Sequence, residues 1–297
     1  MLEHLFPINR PLSHGRFWHF KVVEAFLVAW TIHYMWDWGV YSARLADVVL
    51  PLGLAVYIDV SMFFGTGFML FSAMLTTVLL LLALFTRFRA VPYAIATLLF
   101  HLQYVIRFSQ GEIPHSMNMV GMGILSLAIA AVTFRRDMAK QAAYGFGLIL
   151  FFFGLGYFTA GISKMVATGF SWVNGEHLQL WIAEKGIDAL SKSGYWSPNW
   201  VQTLALDHTW IATLILTFGM MSEFAGPMFW SERLRPVIAM AAIGMHIGIT
   251  LSMGIRFDAY LMQIILIGFA WHRPIGWVVA RTGALRVPGD PSAQWNT

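Results

Sequence analysis

Cysteine is absent from the 297 residues, which excludes disulfides, thiolate nucleophiles, thiolate zinc sites and iron–sulfur clusters. Charge is scarce as well. Asp, Glu, Lys and Arg make up 11% of the chain, against roughly 25% in a soluble domain. That scarcity, with so much apolar residue, excludes a soluble globular fold and a disordered chain alike. The sequence has no G-x-x-x-x-G-K-[ST], no H-E-x-x-H and no G-x-S-x-G, so the common soluble-enzyme signatures are missing. It shows no tandem repeat, no low-complexity tract, and no run of short alternating segments of the kind an outer-membrane barrel needs.

What the chain does have is apolar length. Hydrophobic residues make up 58% and mean hydropathy is +0.64. The apolar residues come in runs of ~20, the length of a membrane-spanning helix. The expected fold is therefore all-α, a polytopic membrane helical bundle of about eight transmembrane helices. The runs lie at 17–36, 62–85, 90–107, 116–134, 141–164, 209–229, 236–254 and 257–271. Residues 1–16, with Pro7 and Pro11, form an N-terminal segment, 17–273 the bundle, and 274–297 an interfacial segment with a loose tail. The first apolar run is expected to serve as an uncleaved anchor.

Loop charges orient the bundle. Eight spans put both termini on one side, together with Arg87, Arg89, Arg135, Arg136, Lys140, Arg233 and Arg235. Of the 19 basic residues, twelve fall on that side and five on the other, while Lys21 and Lys164 lie within spans. This bias places both termini in the cytoplasm and the chain in the cell inner (plasma) membrane. The pI near 9.4 thus reflects membrane orientation, and no nucleic-acid partner is expected. The long outer loop 165–208 carries Trp172, Trp181, Trp196 and Trp200 among Leu and Ile. Its stretch 175–191 reads as an interfacial cap helix on the outer face.

Ionisable residues within spans each need a physical reason. Lys164 closes the fifth run. Its ammonium either snorkels to the outer headgroups or faces the interior as an amine able to take a proton. His246 sits mid-span. His101 and Tyr104, a turn apart, fit a satisfied interhelical hydrogen bond, and Lys21 and Glu24 fit an i,i+3 pair. Glu223 lies ~21 Å into its inward-running span, nearer the cytoplasm, and fits a carboxylate paired with Arg87 or Arg233. His101, His115 and His246 have no metal-ligand spacing, so no metal is expected. Gly65-Thr66-Gly67 reads as close helix packing.

One segment is distinctive: Tyr157-Phe158-Thr159-Ala160-Gly161-Ile162-Ser163-Lys164, followed by Trp172-x-x-Gly175. It resembles the horizontally transferred transmembrane (HTTM) domain family, related to the membrane domain of the vitamin K-dependent gamma-glutamyl carboxylase. There the block carries a Lys-Lys pair whose second lysine matches Lys164. Leu84–Arg89, Pro114-His115-Ser116-Met117 and Met245-His246 match in order, so the resemblance runs over about 80–275. It implies an intramembrane pocket for an isoprenoid quinol, vitamin K-like, with Lys164 as base, His115 and His246 beside it, and Tyr157, Trp172, His101 and Tyr104 lining it. Three features depart from the carboxylase: Ser163 replaces the first lysine, extra residues separate Lys164 from Trp172, and its large lumenal domain has no counterpart in these 297 residues. Two functional classes follow. One is a carboxylase- or epoxidase-like oxidoreductase or lyase acting on a quinol. The other is a non-catalytic membrane subunit or lipid-binding scaffold, with membrane lipid and a protein partner in the membrane.

Overall fold

The computed structural model describes residues 2–9, 11–42, 53–60, 63, 67–110 and 115–282. Among the described residues all regular structure is helical. In chain order the helices are α1 (Leu2–Leu5), α2 (His14–Ser42), α3 (Phe68–Phe85), α4 (Ala90–Ser109), α5 (His115–Thr133), α6 (Met138–Thr168), α7 (Gly175–Ser193), α8 (Trp200–Asp207), α9 (Thr209–Phe224), α10 (Arg235–Met253), α11 (Asp258–Gly268) and α12 (His272–Thr282). A helix coincides with each of the eight apolar runs. Five are long and apolar enough to cross a membrane, or six if α8 and α9, bent by 113° at His208, count as one span. The chain is therefore a multi-pass membrane protein by helix length and composition. At 11 residues α11 is short, about 16 Å long.

Local sequence explains the helix ends. Gly67 at φ 73° starts α3 from a left-handed turn, so this helix begins at Phe68. A Cβ on Gly67 would meet open space, so its role is that turn and not close packing; residues 61–62 and 64–66, Gly65 and Thr66 among them, lie outside the described residues. Pro92 and Pro236 sit in first turns, where the missing N–H costs nothing. Asn174 caps α7, its side chain accepting from the Glu176 N–H, and Gly194 at φ 70° closes it. Asn199 and Gln202 form a reciprocal capping box at α8. The same two side chains donate to the Leu251 and Ser252 carbonyls at 2.7 and 3.0 Å, satisfying the frayed end of α10.

The chain divides into two compact units, with the boundary inside α6. Unit 1 comprises residues up to Phe152 together with Ala270 onward. Here α2 packs on α3, α4, α5 and α12. Gly15 permits the α12 contact, since a Cβ there would lie 2.1 Å from the His272 carbonyl. A buried polar knot ties the helices together. Glu24, fully buried, pairs with Lys21 as the spacing predicts, but also with Arg89, and accepts from the Tyr93 hydroxyl at 2.7 Å. Arg89 donates to the Ala83 carbonyl and to Gln141 Oε1. Read from the sequence as a loop charge, Arg89 is instead buried in this knot.

Unit 2 runs from Phe153 to Phe269. Here α7 packs on α8, α9 and α10, and α9 on α10. Leu178, Ile182, Ala205, Ala212 and Leu216 form its apolar cluster, edged by Trp172, Trp181 and Trp196. Glycine sets the approach of α6. A Cβ at Gly226 would fall 2.4 Å from the Gly154 carbonyl, and one at Gly154 would fall 2.8 Å from that of Gly226. In lipid, where apolar burial drives no helix association, such small residues permit the close contact that does.

Candidate functional site

The site in unit 2 begins on one face of α6. Tyr157, Gly161 and Lys164 are spaced four and three residues apart, so they share that face. At Gly161 a Cβ would lie 3.4 Å from the Glu223 Cβ, close enough for α9 to present its carboxylate. Lys164 Nζ forms an ion pair with Glu223 Oε1. Glu223 is buried, while the Lys164 side chain keeps 29% exposure. After α6, Gly169 at φ 61° turns the chain into a 3₁₀ stretch, Gly169–Val173. That turn brings the Trp172 ring to 4.6 Å from Lys164 Nζ, within cation–π range.

A second polar pair lies beside the first. The Tyr157 hydroxyl and His246 Nε2 are 2.5 Å apart, both side chains buried. Phe257 and Tyr260 stand against the imidazole, with ring centroids at 4.7 and 5.3 Å, and Phe229 stacks on Tyr157 at 6.0 Å. Among the described residues, two buried atoms of this site have no hydrogen-bond partner, Glu223 Oε2 and His246 Nδ1. A buried polar atom without a partner costs about 1–3 kcal/mol, a cost that a bound polar group would relieve.

Four of the residues nominated from sequence, Lys164, His246, Tyr157 and Trp172, thus meet in unit 2. The other three belong to unit 1. His101 is exposed, its ring stacked on Tyr104 at 6.3 Å, and neither makes the expected interhelical hydrogen bond among the described residues. His115 opens α5. Among the described residues no group of three His, Asp or Glu could hold a metal ion.

The partner of Lys164 is a correction. Glu223 pairs with neither Arg87 nor Arg233, both exposed, but with Lys164. Depth counted from span ends had set the two apart, and two features of the fold remove the difference. The apolar stretch containing α6 continues to Val173, 36 residues in all, so Lys164 is inside the helix and does not close it. The run 209–229 is not one helix: α9 ends at Phe224, one residue after Glu223, and Gly226–Trp230 is a 3₁₀ turn. The signal that could have found the pair is charge balance, one lysine and one glutamate on separate apolar helices. Tyr260 and Phe257 had no sequence signal beyond being aromatic.

No family model matches the chain, and neither a curated protein nor a solved structure does.

Proposed function

We propose that the chain is an integral membrane protein of the HTTM type that binds an isoprenoid quinol within unit 2 and uses Lys164 as a base. The observation that carries the reading is the Lys164–Glu223 pair beside the Tyr157–His246 pair, with Glu223 Oε2 and His246 Nδ1 buried and unpartnered. An acceptor oxygen and a ring nitrogen, which donates or accepts according to tautomer, suit a head group carrying a hydroxyl or carbonyl oxygen. A quinol supplies acidic hydroxyls and a two-electron couple.

The residues divide the remaining work. Glu223 can take the Lys164 proton at Oε1, leaving a neutral amine and a neutral carboxyl, with no net charge stranded in an apolar setting. The amine then accepts a proton at Nζ. Tyr157 fixes the imidazole through Nε2 and leaves Nδ1 toward a ligand. Phe257, Tyr260 and Phe229 pack against the Tyr157–His246 pair and shield it from water. The full reading has eight spans, cytoplasmic termini and α7 as a cap in the outer interface. It is supported by the eight coincident helices and the twelve-to-five basic bias.

A second reading, a non-catalytic subunit or lipid-binding scaffold, draws on the same ion pair: a lysine matched by a glutamate also serves as a structural tie. The test is to purify the full chain in detergent, extract it with solvent and identify the quinone that remains. Quinol-dependent oxygen uptake is then measured for the wild type and Lys164→Met. Retained quinone, with uptake lost in the variant, supports the base. No quinone and no uptake in either protein leaves the scaffold.

A further inference from the structure

At one end of unit 1, Arg89 reaches from the α3–α4 turn to Gln141 and Met138 at the start of α6, so the α3–α4 and α5–α6 turns lie together. Six basic residues gather there, Lys21, Arg87, Arg89, Arg135, Arg136 and Lys140, against two acids, Glu24 and Asp137. Glu24 is consumed by Lys21 and Arg89, and Asp137 by Lys140. Arg87, Arg135 and Arg136 are exposed and have no acidic partner among the described residues.

The apolar surface beside these arginines says what kind of anion fits. On α3, Phe71, Met74, Val78, Leu82 and Phe85 are all exposed at helical spacing, a stripe that ends two residues before Arg87. Phe88 in that turn and Val91, Ile95 and Leu98 on α4 are exposed as well. A soluble acidic peptide or a nucleic acid would leave these stripes bare. An amphiphile with an anionic head and two acyl chains covers both.

We propose that this end of unit 1 is a binding site for an anionic phospholipid, its phosphate on Arg87, Arg135 and Arg136 and its chains along the α3 and α4 stripes. Guanidinium forks match phosphate oxygens in pairs, which favours arginine over lysine for such a head group. Basic clusters at the cytoplasmic surface of spans recognise anionic lipid by the same physics. The inference does not depend on any reaction at Lys164.

The test uses the full chain, delipidated in detergent and reconstituted into nanodiscs of phosphatidylcholine doped with phosphatidylglycerol. Lipid retained on release into detergent is read by native mass spectrometry. Phosphatidylglycerol should be enriched over phosphatidylcholine in the wild type. Enrichment should fall about fivefold for each arginine changed among Arg87→Gln, Arg135→Gln and Arg136→Gln, the equivalent of ~1 kcal/mol per charge near the surface. It should survive Lys164→Met, and fall as salt rises. Equal retention of the two lipids by the wild type would overturn the site, and that result needs no variant to fold. Full retention by the triple variant would overturn it too. Displacement by inorganic phosphate alone at matched ionic strength would show a free-anion site and defeat the lipid assignment.

Discussion

At the residue scale two buried carboxylates, Glu24 and Glu223, behave differently. Glu24 has three donors: Lys21, Arg89 and Tyr93. Its loss leaves Arg89 buried at 3% exposure without its carboxylate. Glu24→Ala should therefore destabilise by about 3–5 kcal/mol, read as a lowered thermal midpoint in detergent and reduced yield of folded protein. Glu223 has one donor and a spare oxygen. Lys164→Met or Glu223→Gln alone should cost about 2–5 kcal/mol, nearer the lower figure because Lys164 keeps 29% exposure. The double variant should cost less than the two singles combined. A double-mutant cycle on thermal midpoints checks this, and additivity would show that the two groups do not interact.

At the element scale, small residues decide how closely helices approach. Gly226→Ala would drive a Cβ to 2.4 Å from the Gly154 carbonyl, so the helix ends must part. The expected cost is about 1–3 kcal/mol. Gly248, in α10, has nothing within 4 Å of its would-be Cβ. Gly248→Ala should be neutral or stabilise by about 0.5–1 kcal/mol through backbone entropy alone. Comparing thermal midpoints of the two variants separates packing from propensity. The helix α7 is bound in the same manner. A Cβ at Gly175 would lie 2.1 Å from the Thr209 carbonyl, and one at Gly186 would lie 2.8 Å from the Trp196 ring. Amides in the middle of α7 should exchange far more slowly than those of a free peptide, because Leu178 and Ile182 lie in the unit 2 apolar cluster. Mass-spectrometric hydrogen exchange measures this directly, and free-peptide rates across Gly175–Ser193 would contradict the packing.

At the scale of the whole molecule, the absence of cysteine makes topology easy to measure. Single cysteines at Ser191 and Ser292 should label from opposite sides of the membrane if α7 is outside and the C-terminal tail inside. Labelling from the same side would remove the eight-span arrangement. The helices themselves were legible from the sequence, because a run of ~20 apolar residues leaves no other way to satisfy the backbone in lipid. A helix over 175–191 was legible too, from the density of Trp and Leu in that stretch. Depth was not legible. Counting residues from the end of a run treats every helix as upright and every run as one helix, whereas α9 ends at Phe224 inside the run 209–229.

Composition and periodicity thus determined that the chain is helical and multi-pass, because burial of backbone polar groups in lipid depends only on local sequence. The residue types at the site were also legible: a lysine, a histidine and a tyrosine inside apolar helices mark themselves by their cost. Pairing was decided by the tertiary structure alone. Lys164 meets Glu223 instead of a histidine, and His246 meets Tyr157, because glycines at 154, 161 and 226 let α6 close on the helices opposite it. Such contacts join residues 59 and 89 positions apart, where no local pattern records which side chain stands opposite which.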